Sequence, residues 1–67
     1  MYNFSERLKN LRLKLNLSQT KFAEKIGRKQ KTISRWENGK SYPKSNDLNI
    51  IAKFFNCRVN FLLGLED

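Results

Sequence analysis

The stretch SQTKFAEKIGRKQKTISRWENGK, residues 18–40, contains two short apolar-periodic segments on either side of one glycine. At about 100° per residue, the apolar residues of each segment share one side of a helix. Ser18 is a residue type that caps a helix start through its hydroxyl, and Gly27 is free to adopt the left-handed conformation that ends a helix. The inward residues are Phe22, Ala23 and Ile26, then Ile33 and Trp36.

The second predicted helix, roughly Gln30 to Asn38, carries a polar and basic outer side. Five residues spread across the side opposite Ile33 and Trp36: Gln30, Lys31, Ser34, Arg35 and Asn38. Two short helices joined by a tight glycine turn, with such a face on the second, match the helix-turn-helix arrangement. The stretch therefore predicts a surface that can read a partner.

The charge of the chain favours a polyanionic partner. Its 67 residues predict one small domain, and 14 Lys and Arg against six acids give a formal charge of +8. DNA, RNA and an anionic membrane surface all fit this charge. A membrane-surface binder needs one long basic amphipathic helix, and single-stranded RNA binders display aromatic platforms, whereas most aromatics here fall on predicted inward faces.

Enzyme, cofactor and metal chemistry find little support. There is no histidine, Cys57 is the only cysteine, and the six acids form no obvious pair. Cys57 lies in an apolar stretch and is interpreted as a small buried hydrophobe. No small-molecule ligand is evident. Because no run of about twenty apolar residues occurs and the N-terminus is charged, we expect a cytoplasmic protein without a membrane span.

Three further helices are predicted outside this stretch. Asn3 and Glu6 have the spacing of a capping box, and Ser45 can cap a fourth helix. Asn56 can adopt the left-handed conformation that ends a helix, and VNFLLG predicts a short fifth helix. Predicted inner residues are Phe4, Leu8, Leu11 and Leu15 in the first helix and Leu48, Ile51, Ala52 and Phe55 in the fourth, while Leu13, Ile50 and Phe54 fall outside these stripes. Strand signals are absent, so we expect an all-α fold of five short helices.

The stretch from Leu17 to Pro43 closely resembles the Cro/cI-type (lambda-repressor-like, XRE-family) helix-turn-helix DNA-binding domain, and LNIIAKFFNCRVNFLLG continues the resemblance. The specific part is the combination of Ser18 and Gln19, Ala23 at the helix crossing, Gly27 in the turn, Ile33 inward, and RWENGKSYP. The resemblance covers nearly the whole chain. It implies a lambda-repressor-like domain over residues 1–67, with the helix-turn-helix motif at about 18–38.

By this resemblance, the second motif helix lies in the DNA major groove. Its base-contacting positions map onto Gln30, Lys31, Ser34 and Arg35. The helical wheel independently puts these four residues outside. Predicted phosphate contacts are Ser18, Gln19, Lys29, Asn38, Lys40 and Tyr42, and the structural motif residues are Arg12, Ala23, Gly27, Ile33, Trp36 and Glu37.

Two details of the resemblance lead to separate expectations. Arg12 and Glu37 map onto a family ion pair, the alternative being two independent surface charges. At Arg28 and Lys29 similar sequences carry a small or apolar residue and then a Ser or Thr cap, but here two cations stand at the start of a helix. Cations at that position oppose the helix dipole and lower the stability of the helix start. We expect this loss to be tolerated because Lys29 faces a DNA phosphate in the complex.

The function implied is sequence-specific binding of a double-stranded DNA operator by a transcriptional regulator, a repressor in the first instance. Such modules bind as dimers, and the segment from Val59 to Leu65 is the expected homodimer contact. The alternative is an antitoxin-type protein-interaction module whose DNA binding serves autoregulation. A toxin-binding segment is normally extra sequence, for which 67 residues leave little room.

Overall fold

The computed structural model describes residues 3–66, which form five α-helices and no strand. The helices are α1 (Phe4–Lys14), α2 (Gln19–Ile26), α3 (Gln30–Glu37), α4 (Ser45–Phe55) and α5 (Val59–Leu62). The all-α prediction is confirmed, and the predicted starts of α2 and α3 are each within one residue of those observed. Within residues 3–66, no helix is both long and apolar enough to cross a bilayer.

One core joins all five helices. Its largest fully buried side chains are Phe4, Leu8, Phe22, Ile33, Ile51 and Leu62. The rings of Phe22 and Phe55 stack with centroids 5.3 Å apart, which ties α2 to α4. Cys57, predicted to be buried, is half-buried and packs against this core, and its partial burial raises the pKa of its thiol.

A residue in the left-handed conformation follows each of the five helices, within two residues of the helix end. Gly27 has φ +70° after α2, and Asn56 has φ +54° after α4, so both predicted exits are confirmed. Asn16, at φ +57°, turns the chain after α1, where the sequence pattern predicted no such residue. Asparagine tolerates this conformation better than most residues because its short side chain can hydrogen-bond locally.

Two predicted helix caps are wrong. Asn3 precedes α1 but makes no side-chain cap hydrogen bond, and its φ of −132° and ψ of 35° lie outside the extended conformation that capping residues adopt. Ser45 is the first residue of α4, and the cap position belongs to Lys44. The carboxylate of Asp47 accepts the backbone N–H of Lys44 at 3.0 Å, so an acid inside the helix satisfies this donor.

Two predictions about apolar faces are also wrong. Leu15 was expected inside, but α1 ends at Lys14 and the Leu15 side chain is half exposed. Ile50 and Phe54 were expected outside the inner stripe of α4, but both pack against the core. The Phe54 ring lies 5.6 Å from that of Phe22, because α2 covers this side of α4 as well. Leu13 is half exposed, as its position opposite the stripe of α1 predicts.

Candidate nucleic-acid interface

The inner face of α3 is fixed firmly to the rest of the molecule. Ile33 is fully buried and Trp36 nearly so. The rings of Trp36 and Phe4 form a T-shaped pair with centroids 6.3 Å apart, and the hydroxyl of Ser5 donates to the Trp36 carbonyl oxygen at 2.6 Å. Because α1 holds this face of α3, the opposite face is the one presented to solvent.

The outer face of α3 carries the four residues predicted to contact bases. Gln30, Lys31 and Arg35 are exposed, whereas Ser34 is half-buried. The amide of Asn38 donates to the Ser34 hydroxyl at 3.4 Å, so that hydroxyl already has a partner. The face therefore offers one amide, two cations and a partly covered hydroxyl.

The start of α2 lies beside the start of α3. The Ser18 hydroxyl accepts the backbone N–H of Lys21 at 3.0 Å, which confirms the predicted cap of α2. The next residue, Gln19, accepts a hydrogen bond at its Oε1 from Gln30 Nε2 at 2.7 Å. A residue predicted to hold phosphate is thus in direct contact with one predicted to read a base.

The Arg12–Glu37 ion pair lies directly behind this contact. Arg12 Nε donates to Glu37 Oε2 at 2.7 Å and Arg12 Nη2 to Glu37 Oε1 at 2.9 Å, a bidentate geometry. The side chains are only 8% and 3% exposed, so the predicted pair is confirmed and is not a pair of independent surface charges. The hydrogen bond to Glu37 raises the pKa of Arg12 despite the opposing effect of burial.

The turn between α2 and α3 is closed by backbone and by Arg28. The N–H groups of Gly27 and Arg28 donate to the carbonyl oxygens of Glu24 and Ala23 at 3.3 and 2.8 Å. Ala23 is nearly fully buried, as expected at a close helix crossing. The guanidinium of Arg28 binds the carboxylate of Asp47 on α4 at 2.8 Å. It therefore points back to the protein and is not one of the outward cations.

The remaining predicted phosphate contacts stand at the two ends of α3. Lys29 is the exposed cap residue at its start and makes no side-chain cap hydrogen bond. Asn38 and Lys40 are exposed at its end, and the Tyr42 side chain is 63% exposed. Exposed basic and polar residues thus precede and follow α3 in the chain.

Sequence reasoning missed three contacts of this region. It did not link Gln19 with either Glu37 or Gln30, because these residues are 18 and 11 positions away in the chain and no periodicity connects them. It also had no role for Arg28, which the structure joins to Asp47. The sequence shows only a cation, Arg28, in a turn with few acids nearby. It does not indicate with which acid Arg28 forms an ion pair.

A model of the Helix-turn-helix family, HTH_3, matches residues 8–62. The HTH-type transcriptional activator BcrR of Enterococcus faecalis is 41% identical over 64 residues, 96% of this chain and 31% of BcrR. An uncharacterized HTH-type transcriptional regulator of Archaeoglobus fulgidus is 33% identical over 61 residues, 91% of this chain and 87% of that protein. The chain therefore spans about a third of BcrR but most of the archaeal regulator.

Among solved structures, the P22 c2 repressor protein in complex with synthetic operator 9T in the presence of Tl+ superimposes with a TM-score of 0.89. It is 26% identical, and the match covers 98% of this chain and 100% of that one. The superposition with this structure extends over all five helices of the chain. The chain belongs to the Helix-turn-helix family, in its Cro/cI-type (XRE) branch.

Proposed function

We propose that this chain is the DNA-binding part of a transcriptional regulator, and that it binds a double-stranded operator sequence-specifically with α3 in the major groove. The observation that carries the proposal is the two-sided construction of α3. Ile33 and Trp36 hold its inner face in the core, while Gln30, Lys31 and Arg35 stand exposed on the other. A major groove admits one α-helix, and these are side chains that distinguish base pairs there.

The four base-contacting residues differ in what they can read. Gln30 can pair bidentately with adenine, and Arg35 or Lys31 with the O6 and N7 atoms of guanine. Each good pair discriminates against the wrong base by about 1 to 3 kcal/mol. Ser34 contributes less, because a hydroxyl is unselective and this one already accepts a hydrogen bond.

The predicted phosphate contacts position α3 without reading sequence. The starts of α2 and α3 present backbone N–H groups and a positive dipole end, which favour an anion. Lys29 adds a charge at the start of α3, and Lys40 adds one beyond its end. The full set is Ser18, Gln19, Lys29, Asn38, Lys40 and Tyr42.

We further propose that residues 1–67 act as one domain in the cytoplasm and bind DNA as a homodimer through Val59 to Leu65. Leu65 is 71% exposed, the highest value among the exposed large apolar residues of the described part. A dimer doubles the small interface of one module and places two reading helices about 10 to 10.5 base pairs apart. The chain contributes binding and not catalysis.

Repression is the mode of action that we propose. A dimer seated across a promoter excludes polymerase, and the P22 c2 protein, which shares this fold, is named a repressor. The name of BcrR makes activation the direct competitor. A reporter gene behind the selected operator decides between them, because expression falls for a repressor and rises for an activator.

The decisive experiment is selection from a randomised duplex library at about 150 mM salt, where non-specific phosphate attraction is weakened. The expected result is an enriched motif with two-fold symmetry. Failure to enrich any motif, with binding lost at that salt, refutes sequence-specific recognition.

Two variants then separate reading from positioning. Arg35→Ala should relax the preference at one base pair and reduce the binding free energy by about 1 to 3 kcal/mol. Lys40→Ala should weaken binding to all DNA sequences alike. It should also lower the salt slope, the slope of log K for binding against log salt concentration, by about one in magnitude. Titrations of both against operator and scrambled duplex measure this. Identical behaviour of the two variants contradicts the assigned division of roles.

A further inference from the structure

An unbroken series of polar contacts leads from the interior of the molecule to the reading face. Arg12 grips both carboxylate oxygens of Glu37. Glu37 Oε1 also accepts from Gln19 Nε2 at 3.1 Å, and Gln19 Oε1 accepts from Gln30 Nε2 at 2.7 Å. Of the four residues, only Gln30 is exposed, and it lies on the side of α3 that faces the proposed groove.

The chemistry of these groups allows the series to run in one direction only. An ionised carboxylate accepts hydrogen bonds and donates none, so Gln19 must turn its nitrogen toward Glu37. The Gln19 side-chain oxygen then faces Gln30, so Gln30 must donate a hydrogen bond from its side-chain nitrogen. One acid therefore determines the orientation of two amides whose two ends are nearly the same in shape.

Glu37 is suited to this role because its own position is fixed. The bidentate contact with Arg12 holds both carboxylate oxygens, and the Glu37 side chain is only 3% exposed. Arg12 is anchored in turn, since its Nη1 donates to the carbonyl oxygen of Leu17 at 2.7 Å. Neither residue reaches the outer surface of α3, so any influence on DNA has to pass through Gln19.

We propose that Glu37 is a positioning residue for base selection: through Gln19 it fixes the orientation of the Gln30 amide and so favours adenine over guanine at one base pair. This inference rests on the proposed DNA-binding function. In the fixed orientation Gln30 keeps one N–H and its Oε1 free, which match the N7 acceptor and N6 donor of adenine. An amide released to rotate can offer N–H groups to the two acceptors of guanine instead.

The test uses Arg12→Met/Glu37→Met, because replacing both members of a buried ion pair with apolar residues often preserves stability. The matched control is Arg28→Met/Asp47→Met, which removes an ion pair between the turn before α3 and α4 but has no link to Gln19. Competition between duplexes with adenine or guanine at each operator position is measured for both. We expect the first variant to lose about tenfold in adenine-over-guanine preference at one base pair, with an unchanged salt slope. The control keeps the wild-type profile.

A folded Arg12→Met/Glu37→Met protein with the wild-type base profile overturns the inference, and so does an equal change in the control. Should the double variant fail to fold, Gln19→Leu decides, because it leaves Arg12 and Glu37 in place and interrupts the series. We expect the same shift at the same base pair, on top of a uniform loss of affinity. A uniform loss alone assigns Gln19 to phosphate only and refutes the role of Glu37.

A measurement on the free protein separates this inference from the proposed function. In wild-type protein the side-chain N–H signals of Gln19 and Gln30 should exchange slowly with solvent in NMR spectra, and those of both residues should change in Arg12→Met/Glu37→Met. Unchanged signals overturn the orienting role of Glu37 even if DNA binding is intact. Changed signals in a protein that enriches no DNA motif support the orientation and refute the DNA-binding function instead.

Discussion

The two helices of the motif have equal length but are stabilised at their starts in different ways. Each has eight residues and is followed by a glycine with positive φ, Gly27 one residue after α2 and Gly39 two residues after α3. At the start of α2 the Ser18 hydroxyl accepts a backbone N–H from the first turn. At the start of α3 stands Lys29, which makes no such bond and whose charge opposes the helix dipole.

The difference shows that α3 depends on contacts with distant parts of the chain. Arg28, directly before its cap residue, binds Asp47 of α4. Ile33 and Trp36 insert into the core, and Arg12 of α1 binds Glu37 at its last turn. The start of α2 is stabilised by its own sequence, whereas the start of α3 is held by α4 and its cap residue Lys29 is exposed to solvent.

The largest expected effect comes from releasing α3 from the core. Ile33→Ala leaves a cavity at a fully buried site, so the free energy of unfolding should fall by about 2 to 5 kcal/mol. Urea denaturation measures this, with Ile50→Ala as a control at a half-buried apolar site of α4. A smaller loss for Ile33→Ala than for Ile50→Ala would show that core packing is not what retains α3.

A smaller effect is expected from releasing the start of α3 from α4. Burial alone would raise the pKa of Asp47, but the N–H of Lys44 and the guanidinium of Arg28 hold it below its ordinary value of 3.8. The carboxylate therefore stabilises the fold above that value and loses its effect as pH falls through the lowered pKa. Asp47→Asn should cost about 1 to 2 kcal/mol at pH 7, and this cost should disappear as pH falls through the lowered pKa of Asp47.

Thermal unfolding of wild type and Asp47→Asn across this pH range checks the sign. The melting temperatures of the two proteins should become equal at acid pH. A constant difference between them from neutral to acid pH would mean that the ionised carboxylate does not hold the start of α3.

The smallest effects are expected from removing the cap residue of α2 and introducing one at the start of α3. Ser18→Ala removes the cap of α2 and should cost about 1 kcal/mol, while Lys29→Ser supplies one to α3 and should gain about 0.5 to 1 kcal/mol. Thermal unfolding measures both. Lys29→Ser should also weaken DNA binding at every sequence, since it removes a proposed phosphate contact. Higher stability with unchanged affinity would end that proposal for Lys29.

Features that depend on neighbouring residues were predicted better from the sequence than packing between residues far apart in the chain. The existence of five helices, the Ser18 cap and the exits at Gly27 and Asn56 depend on neighbouring residues and were predicted correctly. The caps at Asn3 and Ser45 are equally local but were predicted wrongly, because Asn3 does not adopt the extended capping conformation and Ser45 is already the first residue of α4. The errors at Leu15 and Phe54 arose because a helical wheel assumes one buried face and a helix that continues. In the folded chain α1 ends one residue before Leu15, and α2 covers a second side of α4 at Phe54.

The sequence by itself determined the helices, the glycine turn and the polar outer side of α3, because periodicity and backbone preference act over a few residues. The resemblance to a known family supplied the pairing of Arg12 with Glu37. Only the tertiary structure decided that Gln19 connects Glu37 to Gln30 and that Arg28 binds Asp47. These contacts join residues far apart in the chain, so they form only when packing of the apolar faces brings the helices together.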